Sequence, residues 1–314
     1  MNKVTLFFKI TYLCNDSCPF CLVYNHRQRG VPVLSFDDIV RNTRYFLKKY
    51  DISRIVVTGG EPSTHPDFFK ILKYFRSKTI PVNLITNAVN FSSEKFLLKT
   101  KKTLFNDSQD INIISFSLND YPRDNNTKNI LTKRVKGIAN LAKSGIPCAG
   151  IVTIFKDNVK KIDRIVEFII YLKEKDKINL KCLDLRMLFL GKGFMPRKVE
   201  KEVLPYDFEE VKDSLEIALN CLKKNNIEYN LWNFPLCYLK YPKLHKNRGV
   251  EKRIKDSVFI IDTNYQLENY ILHNWKDYLK SHFECKKCKL TDYCGGIVTD
   301  YIERYNYPKL QPIN

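Results

Sequence analysis

The chain has 314 residues, 44% of them hydrophobic, with 53 Lys and Arg against 34 Asp and Glu for a net charge of +19, and it carries ten cysteines. That length and apolar share exclude a disordered chain and allow one large domain, or a large domain with a small one. No apolar run is long enough to span a bilayer, and VTLFFKI is too short and too interrupted by Lys9 for a signal-peptide core. The chain is therefore expected in the cytoplasm with no membrane partner, where clustered thiols stay reduced and bind metal or do chemistry instead of forming disulfides.

In chain order, β-rich runs stand at 4–11 (VTLFFKIT), 54–58 (RIVVT), 82–86 (VNLIT), 111–118 (INIISFSL), 147–154 (PCAGIVTI) and 181–188 (KCLDLRML). Between them, apolar residues at helical spacing predict helices over 36–49, 66–77, 92–102, 128–143 and 159–174. A sixth helix is predicted over 207–225, with apolar residues at 208, 211, 215, 218, 219 and 222. This alternation predicts an α/β fold, a partial (β/α)6 barrel of parallel strands. Functional groups in such sheets gather at the carboxyl ends of the strands. After about residue 230 the alternation stops, and SVFIIDTNYQLENYIL (257–272) reads as two strands around a turn near Asp262–Asn264. The predicted division is a core domain over 1–230 and a small cysteine-rich α+β module over 231–314.

Cys14, Cys18 and Cys21 fall in the loop after the first strand. Zinc knuckles want four ligands, usually in Cys-x₂-Cys or Cys/His pairs, and here the nearest fourth candidate is His26. A 4Fe-4S cluster normally takes four cysteines, so three leave one iron open to a ligand, a reactive arrangement more than a structural one.

Cys-x₃-Cys-x₂-Cys after a first strand, with Phe20 just before the third cysteine, resembles the signature of radical S-adenosylmethionine (SAM) enzymes. The resemblance implies that SAM chelates the open iron through its amino and carboxylate groups. An electron from the cluster then cleaves SAM to methionine and a 5′-deoxyadenosyl radical that abstracts hydrogen from a substrate, while the protein orients the cofactor and excludes water. It also implies a flavodoxin- or ferredoxin-type electron donor. Three further stretches share the resemblance. TGGEP (58–62) ends the second strand as the family's Gly-Gly-Glu motif does, with Gly59 and Gly60 allowing close backbone approach to a ligand and Glu61 supplying negative charge near an ammonium group. LITNA (84–88) places Thr86 and Asn87 where the family has Thr-Asn-Gly, with Ala88 departing from the glycine. SFSLND (115–120) offers Ser117 for the SAM carboxylate or ribose. On the sixth strand, Arg186 is a candidate carboxylate partner and Leu188 a candidate adenine-packing residue.

A second cysteine set follows. Cys285, Cys288 and Cys294 lie in ECKKCKLTDYCGG, and Cys237 precedes the predicted hairpin. Four thiols fit tetrahedral zinc or a fully ligated 4Fe-4S cluster. The spacing resembles the SPASM and twitch extensions of radical SAM enzymes, which implies an auxiliary 4Fe-4S cluster on Cys237, Cys285, Cys288 and Cys294. The departures are Asn264 and Asn269, where those extensions have Gly and Cys, and they favour one auxiliary cluster over two.

Cys148, Cys182 and Cys221 read as buried, inert thiols. The five histidines form no ligand spacing, and the basic run at 243–255 reads as a solvated loop or as a dock for an acidic leader peptide or a nucleotide phosphate. The resemblance implies a peptide or protein substrate that is crosslinked, oxidised, epimerised or given a thioether, with the auxiliary cluster accepting an electron or binding substrate. A nucleotide, another anionic small molecule or RNA is the alternative, since a basic protein concentrates anions. No Arg-rich run or aromatic RNP signature supports nucleic-acid binding, and no segment reads as a leader-binding or cobalamin-binding domain. No hydrogen donor or proton-abstracting residue is assigned.

Overall fold

A computed structural model describes residues 3–21, 23, 33–105, 112–122, 130–188, 203, 208–245, 257–261, 271–272, 285, 287–294 and 313. Strands β1 (Lys3–Thr11), β2 (Asp51–Gly59), β3 (Val82–Thr86), β4 (Ile113–Ser117), β5 (Cys148–Ile154) and β6 (Leu180–Met187) alternate with helices α1 (Phe36–Lys49), α2 (Phe68–Arg76), α3 (Glu94–Leu104), α4 (Ile130–Lys143) and α5 (Ile162–Asp176). Helix α6 (Phe208–Lys224) leads into β7 (Tyr229–Trp232), and β8 (Ser257–Ile261) and β9 (Ile271–Leu272) follow.

Among the described residues nine strands form one sheet in the order β7-β6-β5-β4-β3-β2-β1-β8-β9, in which only the β8–β9 pair is antiparallel. Period-2 alternation sorts each strand into a helix-facing and a concave face. Val4, Leu6, Phe8 and Ile10 of β1 join Ile39 and Phe46 of α1 and Ile71 and Phe75 of α2 in one core, while Thr5, Phe7 and Lys9 take the other face. On β6, Leu183, Leu185 and Met187 face the core and Asp184 and Arg186 alternate with them.

Two features go beyond the predicted partial barrel. A seventh β/α strand, β7, extends it next to β6, and β8 pairs in parallel with β1, so the predicted hairpin is built onto the edge of the core sheet. The turn near Asp262–Asn264, Asn269 and most of the basic run lie outside the described residues. Among the described residues no helix is long and apolar enough to cross a membrane.

Candidate active site

The cysteine loop leaves the carboxyl end of β1, and the backbone of the next strand's end is bonded to it. Gly60 N–H donates to Thr11 O (2.7 Å) and Glu61 N–H to Leu13 O (2.8 Å). Only glycines allow this approach. A Cβ on Gly59, whose φ is +150°, would lie 2.1 Å from Thr11 O, and one on Gly60 would lie 2.4 Å from Leu13 O. The two glycines thus seat the Gly-Gly-Glu turn against the cysteine loop itself.

Glu61 is fully buried. Its Oε1 accepts from Ser63 N (3.1 Å), Ser63 Oγ (2.5 Å) and Thr86 Oγ1 (2.8 Å), and its Oε2 accepts from Asn87 N (2.7 Å). Burial drives its pKa above the ordinary carboxylate value, against the pull of these four donated bonds. What Glu61 holds directly is protein: it ties the end of β2 to the end of β3. From there Asn87 Nδ2 donates to Asn15 Oδ1 (2.8 Å) and lies 3.9 Å from Cys14 Sγ, Asn15 Nδ2 donates to Asn90 Oδ1 (3.1 Å), and Asn90 Nδ2 donates to Ser63 Oγ (2.9 Å). The ring Glu61–Asn87–Asn15–Asn90–Ser63 therefore joins the cysteine loop to both strand ends. Ala88, where the family has glycine, keeps the left-handed turn at φ +62°. Its N–H donates to Thr86 Oγ1 (3.0 Å).

The loop is anchored twice more. Asp16 pairs with Arg134 of α4, and the Phe20 ring packs on Phe155, just after β5, with centroids 4.4 Å apart. Cys14, Cys18 and Cys21 are each half-buried. Among the described residues no three Cys, His, Asp or Glu side chains gather tightly enough for a single metal ion. Three thiols on one short loop suit a polynuclear cluster, in which each sulfur takes its own iron, so the donor set fits that group.

The other candidates lie at or near the carboxyl ends of β4 and β6. Ser117 ends β4, half-buried, its hydroxyl without a hydrogen-bond partner among the described residues. Arg186 pairs in register with Thr153 and Trp232. Its Nη2 donates to Asp184 Oδ2 (2.6 Å), Asp184 Oδ1 also accepts from Asn230 Nδ2 (2.8 Å), and Arg186 Nε is buried without a partner among the described residues. Leu188, 7% exposed, follows β6 and donates its N–H to Ile154 O.

Cys237 sits in a short helical turn, Leu236–Tyr238. Leu236 N–H donates to Cys294 Sγ (3.3 Å), Ile313 N–H donates to Cys288 Sγ (3.4 Å), and Thr291 Oγ1 donates to the Cys285 and Cys288 carbonyls (both 2.7 Å). All four cysteines pack against the main core. Of the three thiols expected to be buried and inert, Cys148 is buried at the amino end of β5, and burial pushes it up to about 12. Cys182 and Cys221 are only half-buried, because they sit on the concave face of β6 and the rim of α6.

Sequence reasoning passed over Asn15, Asp16, Asn90, Arg134 and His65. Nothing in local spacing marks Arg134 as the partner of Asp16, 118 residues away. His65 Nε2–H donates to Leu34 O (2.9 Å), and Nδ1 accepts from Asp67 N–H (2.9 Å), so it holds the segment that leads into α1.

Residues 8–169 match the model of the Radical SAM superfamily. A protein named probable GTP 3′,8-cyclase from Sulfurisphaera tokodaii is 25% identical over 210 residues, covering 66% of this chain and 64% of that one. Mycofactocin maturase MftC of Mycolicibacterium smegmatis is 25% identical over 167 residues, 51% of this chain and 40% of the relative. The chain thus spans less than two thirds of the length of either. Streptococcus suis SuiB, solved with its precursor peptide SuiA, superposes with a TM-score of 0.63 at 16% identity, over 96% of this chain and 73% of that one, which is a likeness of fold. With the family's model matched over half its length and the cysteine loop seated at the carboxyl end of β1, the chain belongs to the radical SAM superfamily.

Proposed function

We propose that Cys14, Cys18 and Cys21 hold a 4Fe-4S cluster whose open iron takes SAM, and that the chain modifies a peptide or protein. Such a cluster supplies reductive cleavage of SAM to a 5′-deoxyadenosyl radical when a flavodoxin- or ferredoxin-type donor provides the electron. The residues of the chain bind and orient. Glu61 acts through the backbone, fixing the Gly59–Glu61 and Thr86–Asn87 turns that would face the methionine end of SAM. Ser117 offers a hydroxyl and Arg186 a guanidinium, for the ribose or carboxylate, while Phe20 and Leu188 supply apolar walls.

The observation that carries the peptide reading is the second thiol set. Cys237, Cys285, Cys288 and Cys294 dock on the same core, and two of their sulfurs accept backbone N–H bonds, the kind of contact that tunes an iron–sulfur cluster. We assign them an auxiliary 4Fe-4S cluster in a SPASM/twitch-like module over 231–314. The naming of MftC as a maturase and the SuiB–SuiA complex support a peptide substrate. The second reading, a nucleotide substrate, rests on the likeness to the GTP 3′,8-cyclase and on the charge of +19.

The test is anaerobic reconstitution followed by SAM, a low-potential reductant and either GTP or a short peptide encoded beside the gene. About eight irons, two four-iron clusters, and a mass change in the peptide are expected. Conversion of GTP with the peptide untouched would decide for the second reading, and four irons would remove the auxiliary cluster.

A further inference from the structure

Asp16 stands between Cys14 and Cys18 in the cysteine loop, and its carboxylate serves three donors. Oδ2 accepts from the Cys18 thiol (3.2 Å) and pairs with Arg134 Nη2, while Oδ1 accepts from Ser17 N–H (2.7 Å). Both side chains of the pair are only 8% exposed. Arg134 Nε is buried without a partner among the described residues, so the guanidinium is not held for its hydrogen bonds alone. An apolar pair of similar volume would anchor a loop to a helix at least as well, because burying two charges costs more than their attraction commonly returns. The Asp16 carboxylate lies 3.2 Å from the Cys18 sulfur and the Arg134 guanidinium pairs with that carboxylate, so two opposite charges stand beside the sulfur, buried and weakly screened.

We propose that the Asp16–Arg134 pair is a positioning element that anchors the cysteine loop to α4 and sets the reduction potential of the cluster held there. Reduction adds one electron, taken from an external low-potential reductant, and no bond forms or breaks in the protein. The added negative charge is favoured by the guanidinium and opposed by the carboxylate. The inference rests on the reading that Cys14, Cys18 and Cys21 are the cluster's ligands.

The test is a redox titration of the reconstituted full-length protein, following the electron paramagnetic resonance signal that responds to SAM. Arg134→Gln is expected to shift the midpoint to more negative potential and Asp16→Asn to shift it to more positive potential, with Arg134→Lys nearest the unsubstituted protein. Two unmoved midpoints, or two that move the same way, overturn the proposal, since a purely structural pair would not give opposite signs. If Arg134→Gln loads poorly, iron content restored by Arg134→Lys supports the pair, and iron lost equally in both counts against it. Cys18→Ala separates this from the reading beneath it. Retention of the SAM-responsive signal in Cys18→Ala removes the ligand assignment, whereas its loss, with the midpoints of the other variants unmoved, removes only the role of the pair.

Discussion

Replacing Glu61 by alanine removes the acceptor that four donors share at the junction of the cysteine loop, β2 and β3. Two of those donors are hydroxyls that can turn elsewhere. Ser63 Oγ already accepts from Asn90 Nδ2, and Thr86 Oγ1 from Ala88 N–H. The Ser63 and Asn87 N–H groups cannot turn, and each loses its partner inside a site where Glu61 is fully buried. At about 1–3 kcal/mol for each orphaned buried donor, Glu61→Ala should cost about 2–6 kcal/mol. Glu61→Gln keeps the shape but turns an N–H toward donors, and should fall at the lower end of that range. Thermal denaturation of the apo-protein followed by circular dichroism measures this, with a drop of roughly 5–15 °C expected from ~2–3 °C per kcal/mol in a chain of this size. A double-mutant cycle with Thr86→Val should show coupling, because the two side chains share a bond. A loss below about 1 kcal/mol, or strict additivity with Thr86→Val, would refute the argument that this carboxylate holds the three segments together.

Gly137 of α4 lies against the β3 turn so closely that a Cβ would sit 1.9 Å from Ala88 O. Gly137→Ala should therefore destabilise by about 1–3 kcal/mol through overpacking, although the same change in an open helix stabilises, and denaturant melts give the sign. His65 is buried and neutral, and burial holds its pKa below the usual 6.5. Stability should be flat above pH 6.5 and fall as pH drops below that value toward the lowered folded one, because the unfolded chain takes up the proton first. His65→Gln should flatten that limb in melts run from pH 7.5 to 5. Ile313→Pro removes the N–H that donates to Cys288 Sγ (3.4 Å). It should make the auxiliary cluster's midpoint more negative while leaving the SAM-responsive signal in place.

Much of the fold was legible because parallel β/α units write their periodicity locally. Strand β3 falls at 82–86 and helix α1 at 36–49, both as spacing predicts, and the remaining predicted helices and strands differ by a few residues at their ends. Strand β7 was missed because YNLW is four residues long, too short for alternation to register. The pairing of β8 with β1 joins residues about 250 apart, and no local pattern encodes which edge a strand will choose. The site divides the same way. Cysteines, glycines and Thr-Asn are visible by type and spacing, whereas Asn15, Asn90 and Arg134 are ordinary polar residues whose partners lie far away in sequence and meet them only in the folded chain. At Glu61 the motif gives the residue type, but not that its carboxylate accepts from Thr86 and Asn87 and so ties two strand ends together.

The central claim is that the loop after β1 holds the cluster that starts radical chemistry. The most direct measurement is 5′-deoxyadenosine released from SAM by the anaerobically reconstituted, chemically reduced protein, beside Cys14→Ala, Cys18→Ala and Cys21→Ala variants. The account predicts release by the unsubstituted protein and loss in each variant, with iron falling from about eight to about four as one four-iron cluster is lost. No release under any condition, or undiminished release from the cysteine variants, would contradict it.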